Sequence, residues 1–255
     1  MVVHEVDGMK VKSLGKALAI LDCFIEKQPM GVTEISDRLS LYKSNVSDIV
    51  STFVAAGYLE KDEMSGKYYL GLEALRLGRA AAEHNTFQSI TSIHIRQIAQ
   101  ESGERVYLTI PRGYNVYYLD TADPSNETPF FPIAVTNDVD SLNTTSSGKV
   151  MLAYMPESFV DEYLSTPLTK LTDNTITDPD RMRMELLKIR SCGYAIDDME
   201  NAIGLTCVAV PLFNSEEELL GAISISGPSP RFTSNRIEEY VKLLKQHAQM
   251  IKQLL

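Results

Sequence analysis

The feature that most constrains this fold is a periodic apolar stripe near residue 50. It follows the i, i+3, i+4, i+7, i+8 spacing of one helix face and comprises Val46, Ile49, Val50, Phe53 and Val54. Gly57 stands where a helix C-cap is expected. The spacing therefore predicts an amphipathic helix over residues 43–56, which must bury one face against neighbouring elements.

Two helices are predicted before this one and a hairpin after it. Ser13 is the expected N-cap of the first helix, whose apolar series is Leu14, Leu18, Leu21, Phe24 and Ile25. Thr33 is the expected N-cap of the second helix. Residues 58–61 and 67–70, separated by a turn, predict two paired strands. Three helices followed by a hairpin describe a winged helix-turn-helix.

The third helix would present small polar side chains outward, where they suit base edges and phosphates in a major groove. The candidate DNA contacts on this helix are Lys43, Ser44, Asn45, Ser47, Asp48 and Ser51. Lys61 and Lys67 of the hairpin are the expected contacts to backbone phosphates. The pattern alone leaves open a structural or protein-interaction module that binds no DNA.

Net charge argues at first against a nucleic-acid partner, because 24 basic and 34 acidic residues leave −10 over 255 residues. Residues 1–84, however, carry 10 basic and 12 acidic side chains, a net of −2, so −8 belongs to the remainder.

Three widely spaced cysteines disfavour a disulfide framework. With no apolar run long enough for a membrane span and no signal-peptide core, we expect a cytoplasmic protein.

The remaining two-thirds of the chain mixes helices and strands. Leu72 begins a predicted linker helix that contains Ala80–Ala82, and a further amphipathic helix follows. Four strands are predicted at residues 105–111, 114–121, 208–213 and 219–226, and helices near 148–155, 156–164, 179–191 and 234–255. Strands joined by short turns and interspersed with helices indicate an antiparallel α+β domain.

Several blocks of the sequence resemble the isocitrate-lyase-regulator (IclR) family of bacterial transcription factors. The N-terminal blocks are residues 11–18, 34–36, 43–46, 57–60 and 67–71. The more specific C-terminal blocks are Thr145–Ala153, Gly193–Asp198, Gly204–Pro211 and Gly221–Pro228. The family order of these blocks extends the resemblance from about Val11 to the C-terminus.

The resemblance implies a fold with three parts. These are a winged helix-turn-helix over residues 10–71, a linker helix over 72–86 and an effector-binding domain related to GAF and PAS folds over 87–255. It also implies a homodimer or homotetramer on a palindromic operator in double-stranded DNA. The implied function is ligand-responsive regulation, as a repressor, of a catabolic operon.

A pocket for a small organic acid is implied in the C-terminal domain. The family positions that line it correspond to Ser146, Ser147, Asp197, Cys207, Ser224 and Ser226. From the residues themselves, hydroxyl groups leading into Gly148 at a helix N-terminus suit a carboxylate. Ser224 and Ser226 alternate along a strand and share one face. Asp197 would accept a hydrogen bond from a ligand hydroxyl.

These pocket residues also have simpler interpretations: a hydrated sheet face for the serines, a core position for Cys207 and a solvated turn for Asp197.

One position departs from the family. An arginine commonly follows the Val-x position of the third helix, whereas Asp48 stands here. A carboxylate is repelled by phosphates but accepts from the amino group of cytosine. The departure predicts an operator different from those of arginine-bearing relatives.

An enzyme is the competing class. Ser146 and Lys149 fit the Ser-x-x-Lys motif of serine acyl-enzymes, and Thr172–Asn174 imitates a second motif, but no Lys-Thr-Gly follows. The same stretch lacks the first glycine and the Ser/Thr of a phosphate loop. His4, His84, His94 and His247 show no metal-ligand spacing. We therefore expect no enzyme activity, no metal and no cofactor.

Overall fold

The computed structural model describes residues 10–83, 86–124 and 139–255. The chain divides into two compact units, Met1–Asn85 and Thr86–Leu255. In the described ranges, no helix is long and apolar enough to cross a membrane.

The N-terminal unit is a winged helix-turn-helix, as the sequence predicts. Its elements are α1 (Lys12–Glu26), α2 (Val32–Leu39), α3 (Lys43–Ala55), β1 (Leu59–Lys61), β2 (Tyr68–Leu70) and α4 (Leu72–Glu83). The two strands pair antiparallel, with Leu59 opposite Leu70. Val46 and Val50 of α3 are fully buried with Ile35 of α2 and Leu59 of the wing. The apolar stripe of α3 thus holds the three helices and the hairpin around one core.

Helix α1 buries a different face from the predicted one. Its buried side chains are Ala19, Ile20, Cys23 and Phe24, whereas Leu14, Leu18 and Ile25 are 57%, 39% and 58% exposed. The helix carries two apolar stripes, and the small Ala19 and Cys23 let the stripe that contains them approach the core closely. Ser13 is not the cap, because the helix begins at Lys12 after Val11.

Helix α2 is likewise capped differently. Gly31, not Thr33, is its N-cap, and the Gly31 N–H donates to the Glu34 Oε2 atom at 2.8 Å. A side chain from the third helical position therefore satisfies an amide that the helix leaves unpaired.

The C-terminal unit is an antiparallel α+β domain. Its strands are β3 (Arg105–Arg112), β4 (Asn115–Ala122), β5 (Val139–Ser141), β6 (Ala195–Asp198), β7 (Leu205–Phe213) and β8 (Leu219–Pro228). Its helices are α5 (Thr86–Ser102), α6 (Ser146–Tyr154), α7 (Glu157–Leu164), α8 (Pro179–Cys192) and α9 (Ser234–Lys252). The sheet order is β5-β4-β3-β8-β7-β6. The two edge strands, only three and four residues long, were not predicted.

The two faces of this sheet differ in chemistry. Branched aliphatic side chains such as Val208 and Ile225 pack with α5 and α9 on one face. The other face carries the small residues Ala195, Ala209 and Ala222, and α6 packs there against β7 and β8. Small side chains let a helix approach the sheet closely, and they bring the start of α6 to the same face as the polar residues of β6, β7 and β8.

Candidate functional sites

The outer face of α3 is the first candidate site. Its side chains are exposed at all six predicted positions, Lys43, Ser44, Asn45, Ser47, Asp48 and Ser51. Tyr42, the N-cap residue, is 84% exposed and was not singled out from the sequence. The sequence signal that was missed is an aromatic residue at the start of this helix, whose side chain the structure places in solvent. The face combines one cation with neutral hydrogen-bonding groups and one carboxylate.

The two wing lysines differ in their surroundings. Lys61 is exposed on β1. The Lys67 Nζ atom lies 3.1 Å from Glu34 Oε2, and Lys27 Nζ lies 2.9 Å from Glu34 Oε1. The Lys27 ammonium, the Gly31 N–H and the Lys67 ammonium together lower the pKa of Glu34 to about 2. Lys67 is therefore tied to α2, and a phosphate would compete with Glu34 for it.

The second candidate site is a row of polar residues across three strands of the C-terminal sheet. Antiparallel register places Asp197 opposite Cys207, and Cys207 opposite Ser226. Ser224 lies two residues before Ser226 on the same face. All but the half-buried Cys207 are at most 4% exposed. We call these four residues the polar sheet cluster; the register brings together side chains that are up to 29 positions apart in sequence.

Asp197 contributes a buried carboxyl group to this cluster. It lies on β6 at 1% exposure, so the solvated-turn interpretation is wrong. Its Oδ1 atom accepts from the N–H groups of Glu200 at 2.7 Å and Asn201 at 3.2 Å. Its Oδ2 atom is buried without a hydrogen-bond partner in the described residues. Burial raises the pKa of Asp197 to about 7, against the opposing pull of the Lys149 charge.

Cys207 and the serines lie next to this carboxyl. The Cys207 thiol donates to Ser226 Oγ at 3.1 Å. Burial, and secondarily the Asp197 charge, raise the pKa of the thiol well above its usual range. Cys207 is therefore a neutral polar group in this cluster and not a reactive thiolate. The buried serines exclude the hydrated-face interpretation.

Helix α6 begins two residues earlier than predicted, at Ser146. Thr145 is its N-cap and accepts from the Gly148 N–H at 2.9 Å. In the part of the chain that the structure describes, the backbone amides of Ser146 and Ser147 have no hydrogen-bond acceptor. Gly148 is required here because a Cβ would overlap the backbone of Leu142. The buried N-terminus of α6 therefore offers two amide donors.

A buried ion pair beside the polar sheet cluster was missed. The Lys149 ammonium of α6 is 1% exposed and donates to the Ile196 carbonyl at 2.6 Å and to the Glu200 carboxylate. It ties α6 directly to β6 and to the turn that follows Asp197. A lone charge immediately before the apolar run Val150–Ala153 was the sequence signal for it.

A second group of missed residues surrounds Asp140 of β5. The Tyr118 hydroxyl donates to Asp140 Oδ2 at 2.6 Å, and Asn201 Nδ2 lies 3.3 Å from Asp140 Oδ1. The Tyr107 and Tyr118 rings stack edge to face with centroids 5.1 Å apart. These groups continue the polar face from β6 to β5, and nothing in their local sequence signals it because the sheet alone brings them together.

The enzyme and metal alternatives gain no support from the geometry. The Lys149 ammonium is engaged by Ile196 and Glu200 and makes no hydrogen bond to Ser146 in the described ranges. His94 and His247 meet through their Nδ1 atoms at 2.9 Å, between α5 and α9. Among residues 10–83, 86–124 and 139–255, no group of three or more metal-ligating side chains is present. His4 and His84 lie outside the described residues.

A winged helix-turn-helix joined to an α+β domain with a buried polar site defines a DNA-binding transcriptional regulator. The chain matches the IclR helix-turn-helix domain over residues 13–63 and the C-terminal domain of bacterial IclR regulators over residues 79–253. It therefore belongs to the IclR family, whose members combine DNA binding with a C-terminal ligand-binding domain.

Individual relatives agree with this assignment. The regulator BhcR of Paracoccus denitrificans is 31% identical over 91% of this chain and 82% of its own length. KdgR of Escherichia coli is 30% identical over 94% of this chain and 91% of its own. The crystal structure of the Thermotoga maritima IclR superposes with a TM-score of 0.76 at 33% identity, covering 94% and 97% of the two chains. These relatives are named as regulators, and the chain is a regulator rather than an enzyme.

Proposed function

We propose that this protein is a cytoplasmic repressor of a catabolic operon and that a small organic acid controls its binding to a palindromic operator. The ligand proposal rests on one observation, the juxtaposition of the buried α6 N-terminus with the polar sheet cluster. Amide donors at a helix N-terminus suit a carboxylate, and the hydroxyl groups of Ser224 and Ser226 suit its polar substituents. A related structure from Microbacterium hydrocarbonoxydans, 23% identical, was solved with 4-hydroxybenzoate. It supports an acid as the ligand class.

The proposed effector contacts are the six positions that the family resemblance assigns, together with Gly148 at the start of α6. They are Ser146, Ser147, Gly148, Asp197, Cys207, Ser224 and Ser226. We add Lys149 and Glu200 to the proposed site as positioning residues, because they hold α6 against the strand that carries Asp197. The ligand would therefore contact a helix and a sheet that one ion pair already connects. It can shift the regulator only through different affinities for the DNA-bound and free geometries.

Removing the two strand hydroxyls tests the ligand proposal. A panel of small carboxylic acids is screened for a rise in the melting temperature of the protein. We expect at least one acid to raise it, and Ser224→Ala/Ser226→Ala to abolish that rise because the ligand loses two hydrogen-bond partners. Ser158→Ala, on α7, is the matched control. An unchanged response in the double variant would locate the ligand elsewhere.

For DNA binding we propose that α3 enters the major groove and that the wing lies beside it. The helix would use Lys43, Ser44, Asn45, Ser47, Asp48 and Ser51, and the wing would use Lys61 and Lys67. We propose residues 10–71 as the DNA-binding domain, 72–86 as the linker and 87–255 as the effector domain. Because residues 1–84 carry a net charge of −2, a single unit attracts DNA weakly, and several units must share one operator.

A charge-matched pair of variants tests the DNA contact. We expect specific binding to the DNA upstream of the protein's own gene, measured by fluorescence anisotropy, to weaken as salt rises. Lys43→Ala should reduce the affinity several-fold and lower the salt slope by about one ion, because one phosphate contact is lost. Lys170→Ala removes the same charge from an exposed site in the other unit and should change neither quantity. Equal effects of the two substitutions would show that net charge, and not contact by α3, governs binding.

The proposed assembly is a homodimer, or a tetramer built from two dimers. Leu14, Leu18 and Ile25 of α1, together with its N-cap Val11, are exposed at heptad spacing, which is typical of a helix seam that pairs with a second helix. Leu72 and Leu75 are also exposed on α4. A second copy of the chain would cover such faces and bring two α3 helices to one palindrome.

A further inference from the structure

The site around Asp197 contains more buried carboxylates than cations. Asp197 and Glu200 are at most 6% exposed, and Lys149 of α6 is the cation bonded to Glu200. Asp197 and Asp140 of β5 both lie close enough to Cys207 of β7 for their charges to raise the pKa of its thiol. Tyr118 and Tyr107 face the same region from β4 and β3. The site therefore contains one ammonium group, that of Lys149, and the three carboxyl groups of Asp197, Glu200 and Asp140.

Two of the carboxylate oxygens have unmet hydrogen-bonding capacity. Asp197 Oδ2 and Glu200 Oε2 are buried and have no partner among the described residues. Asp197 Oδ1 accepts hydrogen bonds from two backbone amides, so the carboxyl group cannot turn to give Oδ2 a partner. An unpaired buried carboxylate oxygen is costly, and an approaching anion would increase the cost.

We propose that an anionic effector binds this site together with one proton, which Asp197 takes up from solvent as the ligand arrives. The inference rests on the proposed function, because it requires that the site bind a small organic acid. The proton resides on Oδ2, which then donates a hydrogen bond to an oxygen atom of the ligand. Asp197 therefore acts as a donor toward the acid, and not as the acceptor for a ligand hydroxyl that the sequence suggested.

The electrostatics agree with this geometry. Burial already raises the pKa of Asp197 to about 7 before any ligand is present, and a neighbouring anion raises it further. Below that pH the proton is already in place, so the affinity should depend little on pH. Above it, a proton must be recruited on binding, so the affinity should fall by up to about tenfold for each pH unit.

Titration calorimetry of the full-length protein counts this proton. The probes are matched acids with and without a hydroxyl group: acetate and glycolate, propionate and lactate, benzoate and 4-hydroxybenzoate. An acid that binds is titrated in two buffers whose ionisation enthalpies differ, phosphate and Tris at pH 8 and phosphate and bis-Tris at pH 6. We expect an uptake close to one proton at pH 8 and close to none at pH 6.

Two variants assign the proton to its residue. Asp197→Asn supplies an amide donor that needs no proton, so its affinity should not change with pH and its proton count should be zero. Asp173→Asn makes the same change at an exposed site and should keep the uptake of the unmodified protein. An unmodified protein that binds an acid without taking up a proton overturns the inference, as does uptake that persists in Asp197→Asn. Loss of binding by Asp197→Asn at every pH shows that Oδ2 accepts and also overturns it. If no acid binds at any pH, the proposed ligand class fails, and this inference fails with it.

Discussion

Replacing Lys149 with methionine is expected to lower the free energy of unfolding of the C-terminal unit by about 3–5 kcal/mol. The ammonium is 1% exposed and satisfies both the Ile196 carbonyl and the Glu200 carboxylate. Methionine has a similar length but leaves Glu200 buried without a counter-ion. Removing one partner of a buried pair costs far more than the pair contributes relative to two apolar residues.

The double variant Lys149→Met/Glu200→Met distinguishes this cause from a general packing defect. Because it removes both charges, most of the lost stability should return. Lys188→Met, at a site where the lysine is 71% exposed, is the control and should change the stability by less than about 0.5 kcal/mol. Differential scanning calorimetry measures the transitions. A double variant as unstable as the single one would contradict the assignment.

The loss caused by Lys149→Met should also depend on pH, with a defined sign. The pKa of Asp197 is raised to about 7 in the folded protein from its ordinary value of 3.8, and the Lys149 charge holds it lower than burial alone would. Without that charge the folded protein retains the proton to higher pH, so stability falls further as pH rises. The difference between the unmodified protein and Lys149→Met should therefore be larger at pH 8 than at pH 5.

The second large effect is expected on the exposed face of α1. Leu14→Glu/Leu18→Glu should reduce the mass measured by sedimentation to the 28.4 kDa of one chain, because the variant would bury two carboxylates in the proposed seam. Neither leucine belongs to the buried core of the N-terminal unit, so that unit should still fold. Operator affinity should fall by about 100-fold or more, since two linked α3 helices gain from high effective concentration.

A matched substitution controls for the added charge. Leu171→Glu places the same residue at an exposed leucine of the C-terminal unit and should leave mass and affinity unchanged. A seam variant that keeps both the multimeric mass and the operator affinity would show that α1 does not form the interface. A variant that becomes monomeric but binds the operator equally well would contradict the need for several DNA-binding units.

Local sequence pattern was sufficient for much of the fold. The stripe of α3 and the turn between β1 and β2 are decided by residues close together in the chain, so their predictions are confirmed. The short edge strands β5 and β6 were missed because each has too few residues for a periodicity of its own. The predicted caps at Ser13 and Thr33 were each wrong by two positions, because neighbouring residues compete to begin the same helix.

The acidic charge was the sequence feature hardest to interpret. Its division, −2 over residues 1–84 and −8 over the rest, is a property of the sequence alone. Where those charges act was decided by the tertiary structure. Glu34 engages Lys67 of the wing, and Glu200 is buried against Lys149.

The sequence by itself determined the periodic elements, their order and the family to which the chain belongs. The tertiary structure decided which of two apolar stripes on α1 turns inward, and it placed Asp197, Cys207 and Ser226 in one row. It also buried Lys149 between α6 and β6. The physical reason is that helix and turn preferences act over a few residues, whereas burial and strand register depend on partners that are distant in the chain.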